Sequence, residues 1–307
     1  MNTTPSDEAV WVLGNRRAGR ARAGRLAPTL ERLFAGGGFP AKFFWPSSRE
    51  ESRSLAAEAV RCGRRRLVVA GGDGTLLDAI NGIHGSGIEL GVIPAGDAND
   101  VAAVLGLPRD PLAAARLLFD WHTRPVDLVR ATCAGAPATI YAGVGGAGLD
   151  AEAARLAGGH FRFLPGRTRY LASALAAFSK RKAFQVTLDF GGQIFRGQAN
   201  MVVAANAAAY GGGIRIAPGE RMDDGWLSVV LVEKLSWPRV ARALPALCRT
   251  GEIEGLHPLR FPARRLRIET TPGVAFHGDG EPIGRTPVEI ELLPGALRVV
   301  CGAAAAR

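Results

Sequence analysis

What most restricts the fold of this chain is a change of rhythm near Arg124. Before it, short apolar runs alternate with helix-length stretches. Val10 to Leu13 is followed by Gly14-Asn15-Arg16-Arg17-Ala18-Gly19, then by a helical stretch to about Phe34 that stops at Gly36-Gly37-Gly38. Lys42 to Trp45 reads as a strand, and Pro46-Ser47-Ser48 opens a helix running to about Cys62. Leu67 to Ala70 is a buried strand, Leu76 to Ile83 a helix, and Leu90 to Ile93 a strand closed by Pro94. This alternation predicts a parallel sheet covered on both faces. After Arg124, β-like runs are separated by Gly and Pro turns: Thr139 to Ala142, Phe184 to Phe190, Ile194 to Ala205, Leu227 to Val232, Leu266 to Glu269, Val288 to Leu292 and Leu297 to Cys301. Helical stretches near Thr168 to Arg181 and Pro238 to Cys248 interrupt them. The second part therefore reads as an antiparallel β-sandwich. Residues 1–124 form an α/β domain and 125–307 a β domain, in line with a length of 307 residues and a domain size of about 150.

Composition narrows the class. With 47% hydrophobic and 21% charged residues the chain can bury a core, which excludes wholesale disorder. Ala131 to Leu149 lacks charge, but Gly135, Pro137, Gly143, Gly145, Gly146 and Gly148 argue against a spanning helix. Met1 to Asp7 has no apolar signal core, so a cytoplasmic location is expected. Cys62, Cys133, Cys248 and Cys301 have no paired spacing and read as thiols in a reducing compartment. The net charge of +10 is carried almost wholly by arginine. It reflects either a GC-rich genome or attraction to polyanions. Nucleic acid is not expected as a partner: the basic residues are dispersed, and aromatics, which stack on bases, are only 7%. The five histidines show no ligand spacing, and His277 reads as structural.

Three turns carry potential chemistry. The apolar strand Leu67 to Ala70 runs into Gly71-Gly72-Asp73-Gly74-Thr75, which opens a helix. Glycines let backbone approach a phosphate, and a helix N-terminus offers free N–H donors. Asp73 fits such a turn if it orients a donor or meets a metal; a plain tight turn with an Asp cap is the other reading. Gly91-Val92-Ile93-Pro94 leads into Ala95-Gly96-Asp97-Ala98-Asn99-Asp100 in the same manner, where Asn99 and Asp100 serve a ligand or cap a helix. Far downstream, His277-Gly278-Asp279-Gly280-Glu281 places a carboxylate on a sharp bend, which by itself is an ordinary hairpin turn.

Together these segments resemble the diacylglycerol kinase catalytic family, above all its soluble bacterial lipid-kinase branch, related in fold to NAD kinases and sphingosine kinases. The resemblance covers nearly the whole chain. It includes Asn15 to Gly19 at the family's first nucleotide loop, Pro125-Val126-Asp127-Leu128 at its Asp-bearing strand, Gly148-Leu149-Asp150-Ala151, and Met222-Asp223-Asp224-Gly225-Trp226-Leu227. It implies an NAD kinase-like α/β domain, a β-sandwich lipid-substrate domain, and a last strand that returns to the first domain. It implies that Gly71, Gly72, Asp73, Gly74 and Thr75 take the phosphates of ATP, with Asn15, Gly19, Asp97, Asn99 and Asp100 at the nucleotide and Asp127 in the same network. A structural Mg²⁺ would be held by Asp224 and the carbonyls of Arg221 and Trp226. Glu281 would be the general base on a lipid hydroxyl, with Asp279 beside it. The implied reaction is ATP-dependent phosphorylation of a diacylglycerol-like lipid at the inner membrane surface. A homodimer is left open.

Some residues depart from the family pattern. Asp97 stands where Thr or Ser is usual, Arg16 and Ala18 where Pro and Ser are, and Gly143 where Asn is common. Asp97 keeps a catalytically weak nucleotide- or lipid-binding relative in view. An NAD kinase-like small-molecule kinase shares the Gly-Gly-Asp-Gly-Thr turn, although Asp-Gly-Glu favours the lipid branch. No Gly-Lys-Ser/Thr occurs, so a Walker loop is absent. Gly143-x-Gly145-x-x-Gly148 matches a dinucleotide fingerprint in form only: no acidic residue lies between Glu152 and Asp189 to meet a ribose.

Overall fold

The computed structural model describes residues 9–301 apart from 17, 162, 165, 181 and 182. Its chain divides into one unit of Met1–Val126 with Gly295–Arg307 and another of Asp127–Pro294.

The first unit runs β1 (Val10–Gly14), α1 (Ala18–Gly36), β2 (Ala41–Phe44), α2 (Arg49–Arg61), β3 (Arg66–Gly71), α3 (Asp73–Ile83), β4 (Glu89–Pro94), α4 (Asp100–Val104) and α5 (Pro111–Leu117). The strands lie in the order β2-β1-β3-β4, all parallel. Val10, Val12, Val68, Ala70 and Ile93 from the strands pack with Leu30 and Phe34 of α1 and with Ala115, Leu118 and Trp121. Each fully buried side chain of the Leu or Phe type contributes about 1.5–3 kcal/mol. Ser48 caps α2 by accepting from the Glu51 amide at 3.1 Å, which explains the start at Pro46-Ser47-Ser48. Arg49 and Arg53 of α2 pair with the buried Asp78 of α3 at 3.0 and 2.9 Å, fixing the helix whose first turn matters below.

The second unit takes up the strand β5 (Thr123–Cys133) and continues with β6 (Thr139–Tyr141), β7 (Val144–Gly148), α6 (Leu149–Gly158), α7 (Gly166–Lys180), β8 (Phe184–Asp189), β9 (Ile194–Ala205), β10 (Leu227–Glu233), α8 (Trp237–Arg249), β11 (Leu259–Ala263), β12 (Arg265–Thr271), β13 (Ala275–Gly278), β14 (Glu281–Arg285) and β15 (Val288–Val300). The strand order is β14-β13-β7-β9-β8-β12-β15, with β10 and β11 branching from β9. Pairing is antiparallel. The first half of β9 pairs with β8 and its second half lies between β7 and β10, so one long strand turns the corner of the sandwich.

Two sequence expectations need correction. Helix α3 begins at Asp73 rather than Leu76, so Asp73, Gly74 and Thr75 form a first helical turn instead of an open loop. Apolar periodicity marks the buried part of a helix and says little about its first turn. Val288 to Leu292 and Leu297 to Cys301 belong to one strand, β15, which passes through Pro294-Gly295. Gly295 takes a φ of +58°, the irregularity that lets a proline-containing strand continue. Beyond that point Arg298 and Val299 pair in parallel with Glu89 and Leu90 of β4. Helices α4 and α5, five and seven residues long, are too short to carry a readable period. Among the described residues, no helix is long and apolar enough to cross a membrane.

Candidate active site

The order β2-β1-β3-β4 reverses direction at β1, so the chain leaves β1 to one side and β3 follows on the other. In open parallel sheets, that switch point at the carboxyl ends of the strands is where ligands bind. Asn15 follows β1 there: its amide donates to the Ala70 carbonyl at 3.1 Å and its Nδ2 to Thr75 Oγ1 at 3.4 Å. Gly72 is the N-cap of α3 and carries no side chain over the first turn. Gly72 also meets the next turn closely, because a Cβ on Gly96 would lie 2.5 Å from the Gly72 Cα. Asn99, at a φ of +52°, closes that turn by accepting from the Gly96 amide and donating to the Gly96 carbonyl, both at 2.9 Å. Asp73 Oδ1 accepts from the Val101 amide at 3.2 Å, tying the start of α3 to the start of α4. Asp100 opens α4 and is partly buried, whereas Asp97 is exposed. Gly19 lies in the first turn of α1 with a φ of +57°. The structure thereby gathers Asn15, Gly71 to Thr75, Gly96, Asn99 and Asp100 at one edge. Gly96→Ala is expected to force the two turns apart, at about 1–3 kcal/mol of strain. A thermal-melting comparison and nucleotide titration would check it, with weaker nucleotide binding as the expected result.

In the second unit, Asp279 and Gly280 are the centre of the β13–β14 hairpin, with φ of +48° and +82°. Two positive φ values in a two-residue loop describe a type I′ turn, for which Asp-Gly is a favoured pair. Glu281 follows immediately, opposite Gly278, and is partly exposed. Asp279 itself is half-buried. Its Oδ1 accepts from the amides of Gly143 and Val144 at 2.9 Å each, and its Oδ2 from Ala142 at 2.8 Å. Burial pushes its pKa up and these three amides pull it down. Asp279 is therefore the clasp of the turn, and Glu281 the carboxylate that the turn presents.

Asp127 is also a fastening. Its amide donates to the Met222 carbonyl at 2.6 Å, its Oδ2 accepts from Gly225 at 2.8 Å, and Asn206 donates to its carbonyl at 2.9 Å. It therefore brings the 222–226 turn to β5. Within that turn Asp224 accepts from the Trp226 amide at 3.0 Å, while the Arg221 side chain pairs with Asp223. Burial, with Asp224 and Asp127 nearby, pushes Glu220 up to about 7, against a hydrogen bond with Ser228 that lowers it. Among the described residues, no three His, Cys, Asp or Glu side chains gather as a metal-ligand set. The implied site depends instead on one carboxylate, Asp224, and two backbone carbonyls.

One buried group escaped the sequence reading. His277 Nε2 lies 2.6 Å from Asp150 Oδ2, and the Tyr210 hydroxyl bonds Asp150 Oδ1. Gly146 permits this, because a Cβ there would overlap the Asp150 carboxylate. The glycines of the formal dinucleotide match have packing roles of their own: a Cβ on Gly145 would lie 2.7 Å from the Tyr141 ring and one on Gly148 2.4 Å from the Phe184 ring, on a strand whose neighbours β9 and β13 are both antiparallel. The crowding of glycines before Asp150 was the available signal.

Residues 9–131 match the diacylglycerol kinase catalytic domain, and residues 143–301 match the YegS C-terminal NAD kinase beta sandwich-like domain. A diacylglycerol kinase of Mycobacterium tuberculosis is 31% identical over 255 residues, 81% of each chain. A protein of Pseudomonas aeruginosa named "Probable lipid kinase YegS-like" is 29% identical over 298 residues, 95% of this chain and 94% of that one. In fold, the crystal structure of a diacylglycerol kinase from Bacillus anthracis agrees with a TM-score of 0.75 at 21% identity, covering 97% of this chain and 98% of that one. The chain belongs to the diacylglycerol kinase family, in its YegS-like branch.

Proposed function

We propose that this protein is an ATP-dependent lipid kinase that moves the γ-phosphoryl group of ATP to the hydroxyl of a diacylglycerol-like lipid. The observation that carries the reading is the glycine N-cap of α3 at the β1/β3 switch point, with Asn15 on Thr75 and Gly72 against Gly96. Backbone donors and bare glycines suit phosphate oxygens that must come close. The family relationship supplies the acceptor class, since relatives across its length are named as lipid kinases.

Phosphoryl transfer passes through a loose transition state, so positioning and charge stabilisation do most of the catalysis. In this reading the first turn of α3, with Asn15, Asn99 and Asp100, holds the nucleotide, and Asp73 keeps the two turns in register. Glu281 accepts the proton of the lipid hydroxyl as its oxygen attacks the γ-phosphorus; the bond to the β-phosphate oxygen breaks and ADP leaves. Bound Mg²⁺ supplies charge neutralisation. Asp224 with the carbonyls of Arg221 and Trp226 would hold a structural ion, an all-oxygen set that suits a hard cation. The arginine excess suits work at an anionic membrane surface on the cytoplasmic side.

Transfer from γ-labelled ATP to a panel of lipid hydroxyls, with NAD and no-acceptor controls, tests the reaction. Label in the lipid fraction supports it, and label in NAD alone replaces it with an NAD kinase-like reading. Asp97→Thr addresses the weak-relative reading. Because Asp97 is exposed, removing its charge is expected to tighten ATP binding by no more than about fivefold. Isothermal titration would measure this, and a loss of affinity would mean that Asp97 holds a cation.

A further inference from the structure

The hairpin that presents Glu281 is joined to a polar chain inside the second unit. Asp150, in the first turn of α6, and His277, on β13, have side chains each only 3% exposed, although 127 residues separate them. The Gly280 amide donates to His277 Nδ1 at 3.2 Å. An Nδ1 that accepts carries no proton, so in the neutral ring the proton sits on Nε2 and is donated to Asp150 Oδ2 at 2.6 Å. The Tyr210 hydroxyl donates to the other oxygen. Every role is then fixed: Tyr210 and His277 both donate to Asp150, and His277 accepts from Gly280.

Burying a carboxylate and an imidazole is expensive, and well-packed apolar side chains would fill the same space at lower cost. What such a chain provides is a defined tautomer and a defined backbone orientation. Gly280 is the second residue of the type I′ turn and the covalent neighbour of Glu281. Its amide is the link between the chain and the reacting carboxylate.

We propose that His277, Asp150 and Tyr210 are positioning residues. Asp150 selects the Nε2–H tautomer of His277, that tautomer leaves Nδ1 to hold the Gly280 amide, and the held amide fixes the Asp279–Gly280 peptide of the turn, one residue before Glu281. The proposal rests on the reading of Glu281 as base, and deepens it.

The full-length protein carries the test. His277→Phe keeps a ring of similar bulk and removes both nitrogens. It is expected to lower kcat by about 10–100-fold, the scale of a misplaced reacting group, while KM for ATP changes less than about twofold. Tyr210→Phe should lower kcat less, by about threefold. Asp150→Asn keeps one acceptor oxygen for two donors, Nε2–H and the Tyr210 hydroxyl, so kcat should fall by about three- to tenfold, between Tyr210→Phe and His277→Phe. His277→Ala should regain part of its kcat with added imidazole. ¹⁵N spectra of the histidine ring should report protonated Nε2 and bare Nδ1, and exchange of the Gly280 amide should accelerate in His277→Phe. The proposal is overturned if His277→Phe keeps wild-type kcat, if kcat falls only in proportion to folded protein, or if Nδ1 carries the proton. The base reading fails separately: an active Glu281→Gln would remove it, while the tautomer and the Gly280 exchange would still report on the chain.

Discussion

Glu281→Gln is expected to lower kcat for lipid phosphorylation by about 10²–10⁴-fold, the range for loss of a general base. Glutamine keeps the length and shape of the side chain and its place opposite Gly278 in the hairpin, but it cannot take a proton. Nucleotide affinity should stay within about threefold, since in the proposed reaction the phosphates are held by the start of α3 and the Gly96 turn. The melting midpoint should also hold, because Glu281 is partly exposed and the turn is fastened by Asp279. Steady-state kinetics with a nucleotide titration would separate these effects. A kcat within about threefold of wild type would remove Glu281 as the base.

Asp279→Ala is expected to damage the fold more than any other single change at the site. It leaves the amides of Ala142, Gly143 and Val144 without their acceptor. A buried polar group stripped of its partner costs about 1–3 kcal/mol, so the three together come to about 3–9 kcal/mol. At about 2 °C per kcal/mol for a protein of this size, that corresponds to a melting midpoint lower by roughly 6–18 °C. Asp279→Asn should fall between the two: its Oδ1 can still accept from Gly143 and Val144, while its NH₂ opposes the Ala142 amide. Scanning calorimetry of the three proteins should rank them wild type, Asn, Ala. An unchanged midpoint in Asp279→Ala would refute the clasp.

Much of this was legible in the sequence because some residue pairs have few physical uses. An apolar strand such as Leu67 to Ala70 running into two glycines and a helix leaves little choice but a close-approach turn. Asp279-Gly280 likewise dictates a hairpin. What stayed hidden was the partner of each side chain. Asp279 bonds to backbone amides, which carry no signature in the residues Ala142, Gly143 and Val144. Asp73 reads as a metal or donor-orienting residue, and only the fold shows that its donor is the Val101 amide. His277 reads as structural because the chain gives no hint of Asp150 and Tyr210 folding onto it. Pro294-Gly295 looks like the end of a strand, since proline and glycine usually stop one, yet β15 passes through.

That passage has a cost during translation. The ribosome finishes β4 at Pro94, but the strand that borders it, at Arg298 and Val299, is made about two hundred residues later. Until then the growing polypeptide exposes a bare row of N–H and C=O groups along β4, the kind of edge that pairs with stray strands. A gene fragment ending at Val126 would carry that open edge permanently, so expressing the α/β half by itself invites self-association.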